Sequence, residues 1–168
     1  SLQGTTTKVA FGLAQVDPTT VSDAQITVNA PASLLAGVNT LKVVHPLDLG
    51  TTVEPHGGFE SNVAAFILTP EIKTPPPITV ARGATLNLAV DPPVGRAQRV
   101  TLIAGDRTIT IPARSAGGPA TTTSLDFPIP ADFPTGTFLL RVQVDGADSP
   151  LGTNVVSGEY DNPTVTVT

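Results

Sequence analysis

Two groups of side chains in this sequence could take part in acid–base or metal chemistry. The first combines both histidines with two carboxylates, and the second is a set of four carboxylates near the C-terminal end: His45, Glu54, His56 and Glu60; Asp145, Asp148, Glu159 and Asp161. Imidazoles with carboxylates are zinc ligands, and carboxylate oxygens are calcium ligands. Neither group follows a known metal-binding spacing, so we interpret both as solvated loops and predict no metal and no cofactor.

Catalysis by nucleophile or by paired carboxylates is also disfavoured. The sequence has no Cys and no G-x-S-x-G elbow, which removes thiolate chemistry and the common serine-hydrolase turn. Glycoside hydrolysis and lectin-type binding usually need aromatic platforms, and the chain has no Trp and the single tyrosine Tyr160. We therefore predict that the chain is not an enzyme.

Charge and hydropathy exclude two further classes of partner. The net charge is −5, and no run of three Lys or Arg occurs that could neutralise a row of phosphates, so we predict no nucleic-acid binding. No apolar stretch approaches the roughly 18–20 residues of a membrane span. The absence of Cys fits a reducing compartment.

The sequence repeats itself after about 99 residues. The segment from Ile26 to Val44 aligns without gaps on the segment from Leu125 to Gln143, and Gly37 falls on Gly136. A period of this length is typical of a duplicated small domain. We predict a boundary between residues 73 and 74, where the run Thr74-Pro75-Pro76-Pro77 has the composition of a stiff linker.

Short segments of alternating apolar and polar residues, separated by Gly and Pro turns, predict strands throughout. We predict no helix longer than one turn. The expected fold class is all-β, with two tandem immunoglobulin-like β-sandwiches covering residues 1–73 and 74–168. Ten alternating positions are expected to form the core of the second sandwich: Leu86, Leu88, Val90, Val100, Leu102, Leu125, Phe127, Leu140, Val142 and Val165.

Two long loops occupy the same place in the two repeats, and both have a Pro-Leu step followed by Gly. Loops of this length are often functional, so their residues are the candidate partner contacts: His45, Pro46, Leu47, Asp48 and Leu49; Asp145, Asp148, Pro150 and Leu151. The alternative is that the leucines cover the open ends of their own sandwiches.

Longer strings resemble known families. The run PASLLAGVNTLKVV followed by ESNVAAFILTP resembles IPT/TIG domains, an immunoglobulin-like early-set family. The strings HPLDLGTTVEPHGGFESNVAAFILTPEI and LLRVQVDGADSPL resemble the C-terminal extension of tail-terminator (cap) proteins from phage-tail-like contractile injection systems. Compared with a complete TIG domain, the first repeat is missing two strands before Leu2, and we expect this chain to be a fragment of a longer protein.

The resemblance implies a non-catalytic structural module of a particle assembled in the cytoplasm. Its partners would be other subunits of that particle or a second copy of the chain. The alternative reading is a carbohydrate- or surface-binding accessory module of an extracellular protein.

Overall fold

The computed structural model describes residues 7–46 and 58–168. Every regular element in these ranges is a β-strand, which confirms the all-β prediction. None of the described residues lies in a helix that could cross a membrane. The described residues form two compact units: unit 1 contains 7–34, 38–46 and 58–66, and unit 2 contains 35–37 and 67–168.

Seven strands lie wholly or mainly in unit 1. They are β1 (Lys8–Phe11), β2 (Ala14–Val16), β3 (Thr20–Val21), β4 (Ile26–Thr27), β5 (Gly37–His45), β6 (Phe59–Glu60) and β7 (Ala64–Leu68). Strands β2, β1, β5 and β6 follow one another in one sheet, β7 also pairs with β5, and β3 and β4 form a separate hairpin. The described part of unit 1 is thus one five-stranded sheet and a hairpin.

Unit 2 contains eleven strands and is a two-sheet sandwich. The strands are β8 (Glu71–Ile72), β9 (Ile78–Val80), β10 (Thr85–Gly95), β11 (Val100–Ala104), β12 (Arg107–Ile111), β13 (Thr121–Pro128), β14 (Gly136–Val144), β15 (Ala147–Asp148), β16 (Gly152–Thr153), β17 (Tyr160–Asn162) and β18 (Thr164–Val167). One sheet has the order β13-β10-β8, and the other has the order β12-β11-β14-β18-β9. Strand β15 pairs with β14, and β16 and β17 form a hairpin.

The proline run expected to be a linker lies inside unit 2. Strand β8 pairs antiparallel with β10, and β9 pairs parallel with β18 in the other sheet. The residues Thr74 to Pro77 connect these two strands, and Thr74 Oγ1 accepts a hydrogen bond from Ala89 N. Because proline has no N–H to donate to a ladder, the run ends the pairing with β10 and the chain crosses to the second sheet.

The core of unit 2 fills the space between its sheets. All ten core residues predicted from alternation are buried, with at most 4% of their surface exposed. They join Ile78, Val80, Val94, Val144 and Val167 in one apolar cluster. Alternation therefore predicted the inward face of each of these strands correctly, because successive side chains in a strand point to opposite faces.

Unit 2 also contains a short segment from the first half of the sequence. Ala36 is buried in the core cluster, and its N–H donates to Pro93 O at 3.1 Å. Its carbonyl oxygen accepts a hydrogen bond from Gln98 Nε2 at 2.7 Å, while Gln98 Oε1 accepts from Gly95 N. The Gln98 amide therefore holds residues 35–37 as part of this unit.

The two repeats share local geometry. Leu34 N donates to Pro31 O, and at the aligned positions Phe133 N donates to Pro130 O, both at 3.1 Å. Strands β5 and β14 both begin at aligned glycines with positive φ, +105° and +141°. The strand pairs β1–β5 and β11–β14 also correspond, since Phe11 pairs with Leu41 and Ala104 pairs with Leu140.

Two segments differ from what their residues predict. Alternation of Ile26, Val28 and Ala30 with polar residues predicts a strand over 26–30, but β4 ends at Thr27. The polar composition of residues 113–124 predicts a loop, but β13 begins at Thr121. The threonines of β13 pair with Val94 and Gly95 beyond a bulge in β10, and β-branched residues fit such an edge.

Candidate binding surface in unit 2

Two of the candidate partner-contact residues of unit 2 are held by internal hydrogen bonds. Asp145 adopts a left-handed conformation with φ of 48°, and its carboxylate accepts from Arg99 N and Gln98 Nε2, both at 2.9 Å. The Asp148 carboxylate accepts from Arg141 Nη1 at 3.1 Å and from Gln143 Nε2 at 2.7 Å. These bonds fasten the segment after β14 to the residues just before β11 and to β14 itself.

Asp145→Ala is expected to lower the free energy of unfolding by about 1–3 kcal/mol. The change removes both side-chain hydrogen bonds, each contributing about 0.5–1.5 kcal/mol, and alanine tolerates the left-handed conformation less well. Denaturant unfolding followed by circular dichroism measures the loss. Asp106→Ala is the matched control, because Asp106 only approaches Arg107 at 3.6 Å. Equal effects of the two changes would show that the Asp145 bonds contribute nothing.

The remaining candidates of unit 2 lie at a groove. Pro150 is exposed and Leu151 is half-buried. They line a cavity of about 460 Å³, whose other lining residues include Ile72, Pro76, Ile78 and Asn162 to Thr164. An adjoining cavity of about 350 Å³ shares Pro150 and Leu151 and is also lined by Arg141, Ser149 and Tyr160. The two cavities share Pro150 and Leu151, and we call them together the groove.

The hairpin of β16 and β17 extends from one side of this groove. Its tip is ordered by Asn154, whose Oδ1 accepts from Val156 N at 2.9 Å and from Ser157 N at 3.2 Å. The backbone closes the turn from Gly158 N to Asn154 O and from Asn154 N to Glu159 O, both at 2.8 Å. The tip therefore has a defined conformation before any partner binds.

The apolar side chains of this hairpin face solvent. Val155 is 99% exposed, Val156 is 92% exposed and Tyr160 is 60% exposed. Single exposed apolar residues are ordinary, but a group of them on one projecting element is typical of a contact surface. Glu159 and Asp161 beside them are also exposed, so the apolar tip has an acidic flank.

The candidates of unit 1 are only partly described. His45 ends β5, and its Nδ1 lies 3.3 Å from Thr7 Oγ1. Pro46 follows it, whereas Leu47, Asp48 and Leu49 lie outside the described residues. Of the residues weighed for zinc, Glu60 pairs with Lys42 at 2.6 Å, and Glu54 and His56 also lie outside the described ranges. Within those ranges no three His, Asp or Glu side chains are grouped to hold a metal ion.

Sequence reasoning located the long loop of unit 2 but missed its hairpin tip. The sequence does contain a pattern that indicates this tip. Asn154 and Gly158 are turn-forming residues, and the two consecutive valines Val155 and Val156 lie between them in an otherwise polar segment. Alternation cannot find such a tip, because a two-residue strand has no period to read.

A comparison with family models matches residues 70–167, more than half of the chain, to Domain of unknown function (DUF8756). The chain belongs to the DUF8756 family. The DUF8756 match runs from β8 to β18 and so contains both sheets of unit 2 and the hairpin. No curated protein matches the sequence.

Among solved structures, the DUF8756 chain is similar to a Bacteroides ovatus protein, SGBP-B of the mixed-linkage glucan utilization locus, in complex with a mixed-linkage heptasaccharide. The identity is 22% and the TM-score is 0.38, with 97% of this chain and 37% of that chain covered. This chain therefore corresponds to well under half of the length of that protein.

Proposed function

We propose that this chain is a non-catalytic protein-interaction module that contacts its partner through the β16–β17 hairpin of unit 2. The supporting observation is the pair of almost fully exposed valines, Val155 and Val156, on a turn ordered by Asn154. Covering an exposed aliphatic side chain contributes about 1.5–3 kcal/mol, and an ordered tip loses little conformational entropy on binding. Such a tip suits an apolar pocket on another protein.

The finer part of this proposal is that the chain belongs to a cap protein of a contractile injection system and binds other subunits of that particle. Its support is the resemblance of the two strings that begin at His45 and Leu139. Reading the genes beside the parent gene tests it. Sheath and tube genes there are the expected result, and their absence would remove this part of the proposal.

A photo-crosslinking residue at Val155 tests the hairpin contact in the cells that produce the protein. We expect one covalent adduct with a single protein, identified by mass spectrometry, and loss of that adduct when Val156→Asp is added. The matched control places the same crosslinker at Leu13, which is fully exposed in unit 1. Identical adducts from both positions, or no protein adduct from Val155, would contradict the proposal.

A second candidate function is binding of carbohydrate through the groove. Tyr160 stands at the groove beside Arg141 and Leu151, and sugars stack on aromatic rings and accept hydrogen bonds from Arg. This function predicts saturable binding of an oligosaccharide in a glycan array, weakened at least about tenfold by Tyr160→Ala, a loss of about 1.4 kcal/mol. Val155→Asp would leave it unchanged. An array without any binding oligosaccharide would rule this candidate out.

A further inference from the structure

A site at the end of β10 holds the short segment of residues 35–37 within unit 2. Ala36 in the middle of this segment is 1% exposed and belongs to the core cluster. Its hydrogen-bond partners are Pro93 in β10 and Gln98 in the turn before β11. The family match over residues 70–167 contains both partners and does not contain the segment. The site and the residues that occupy it are therefore separate along the chain.

The site binds the backbone of Ala36 through both of its polar groups. Ala36 N donates to Pro93 O at 3.1 Å, and Ala36 O accepts from Gln98 Nε2 at 2.7 Å. The Gln98 amide is itself held, since its Oε1 accepts from Gly95 N at 2.6 Å and its Nε2 also donates to Asp145 Oδ2 at 2.9 Å. An amide nitrogen has two N–H donors. The bonds to Gly95 and Asp145 do not involve the occupant, so they orient the remaining N–H toward a carbonyl oxygen.

Two glycines determine which side chains fit. A Cβ added at Gly95 would lie 2.9 Å from Leu35 Cδ1, which is too close for a real contact. Gly37 has a φ of +105°, which side chains rarely adopt, and a Cβ there would lie 3.1 Å from Gln98 Nε2. The Ala36 methyl group is enclosed in the core, where a larger side chain would overpack it. The site therefore fits leucine, alanine and glycine in this order.

We propose that unit 2 contains a peptide-recognition site for the sequence Leu-Ala-Gly, which this chain fills with its own residues 35–37. A separate peptide with this sequence competes for the same contacts. Backbone hydrogen bonds supply affinity in such recognition, and the small buried side chain supplies selectivity. The tethered segment has an effective concentration of about millimolar or more, so a free peptide binds measurably only when that segment is weakened. The site does not use the β16–β17 hairpin, and its test is independent of the hairpin's function.

The full 168-residue chain carrying Ala36→Asp, which we call the opened chain, tests this proposal. The change displaces the tethered segment, because an unpaired carboxylate is costly to bury, and it leaves the partners of Ala36 intact. A fluorescent peptide of residues 31–39 should bind the opened chain saturably in anisotropy measurements, with slower hydrogen exchange at Gly95. The unchanged chain should bind it at least about tenfold more weakly. If circular dichroism shows that Ala36→Asp does not fold, Gly37→Ala is the milder opening change, because alanine is strained at this φ.

Matched changes test the groups that make the contacts. The peptide carrying Ala36→Asp should bind the opened chain at least about tenfold more weakly, whereas Ser33→Asp, at an exposed position, should have little effect. In the opened chain, Gln98→Leu should also weaken binding at least about tenfold, because the peptide carbonyl loses its donor. Gln143→Leu is the matched control, since Gln143 donates to Asp148 instead.

Two results would overturn the proposal. The first is a loss of stability in the opened chain without saturable binding of the peptide, which would make residues 35–37 an ordinary part of the core. The second is equal binding of the peptides with and without Ala36→Asp, which would place the contact elsewhere on the chain.

Discussion

Leu140→Ala is expected to lower the free energy of unfolding by about 2–5 kcal/mol, one of the two largest effects predicted for this chain. Leu140 is fully buried in the centre of β14, between the sheets of unit 2. Truncation removes its transfer free energy and leaves a cavity that a close-packed core refills only in part. Denaturant unfolding measures the loss, and hydrogen exchange of the β14 amides locates it in unit 2.

Leu13→Ala is the matched control for this change. It deletes the same atoms from a leucine that is fully exposed in unit 1, so its effect should stay within about 0.5 kcal/mol. A loss below about 1 kcal/mol for Leu140→Ala would mean that the inward face of β14 has been assigned incorrectly.

Phe127→Ala should cost about 3–5 kcal/mol, because it empties the largest fully buried site of the core. Thermal unfolding by calorimetry is the measurement, and the transition that contains unit 2 should move to lower temperature.

Two other positions control for this substitution. Phe59→Ala makes the same change at an exposed phenylalanine and should cost little. Val28→Ala alters the aligned position of the first repeat, where the side chain is only half-buried, so its cost should also be small. If Val28→Ala proved as costly as Phe127→Ala, the packing of Val28 would match that of Phe127, which contradicts its half-burial.

Much of unit 2 could be predicted from the sequence, because buried positions alternate over parts of its longer strands. Leu86, Leu88 and Val90 alternate with Asn87 and Ala89, and that pattern fixes both the element and its inward face. The turns at Pro31 and Pro130 could also be predicted, since these two prolines occupy the same position in the two repeats.

Pairing between distant segments could not be predicted from local patterns. The prolines at 75–77 have the composition of a linker. The strand before them nevertheless belongs to unit 2, because Ile72 pairs with Val90, and no local pattern predicts that pairing. The candidate loop of unit 2 was recognised by its length. The internal bonds of Asp145 and Asp148 depend on Arg99 and Arg141, which adjacent strands bring close.

The hydrogen bond from Gln98 to Ala36 limits where the chain can be cut to produce unit 2 as a separate fragment. The family match begins at residue 70, whereas the core of unit 2 includes Ala36, bound through Pro93 and Gln98. A recombinant fragment cut at the limits of the match would lack the carbonyl that Gln98 Nε2 binds, and would uncover apolar surface where Ala36 packs. Transfer of this module to another gene would lose the same contacts, since residues 35–37 of unit 2 are encoded apart from residues 67–168.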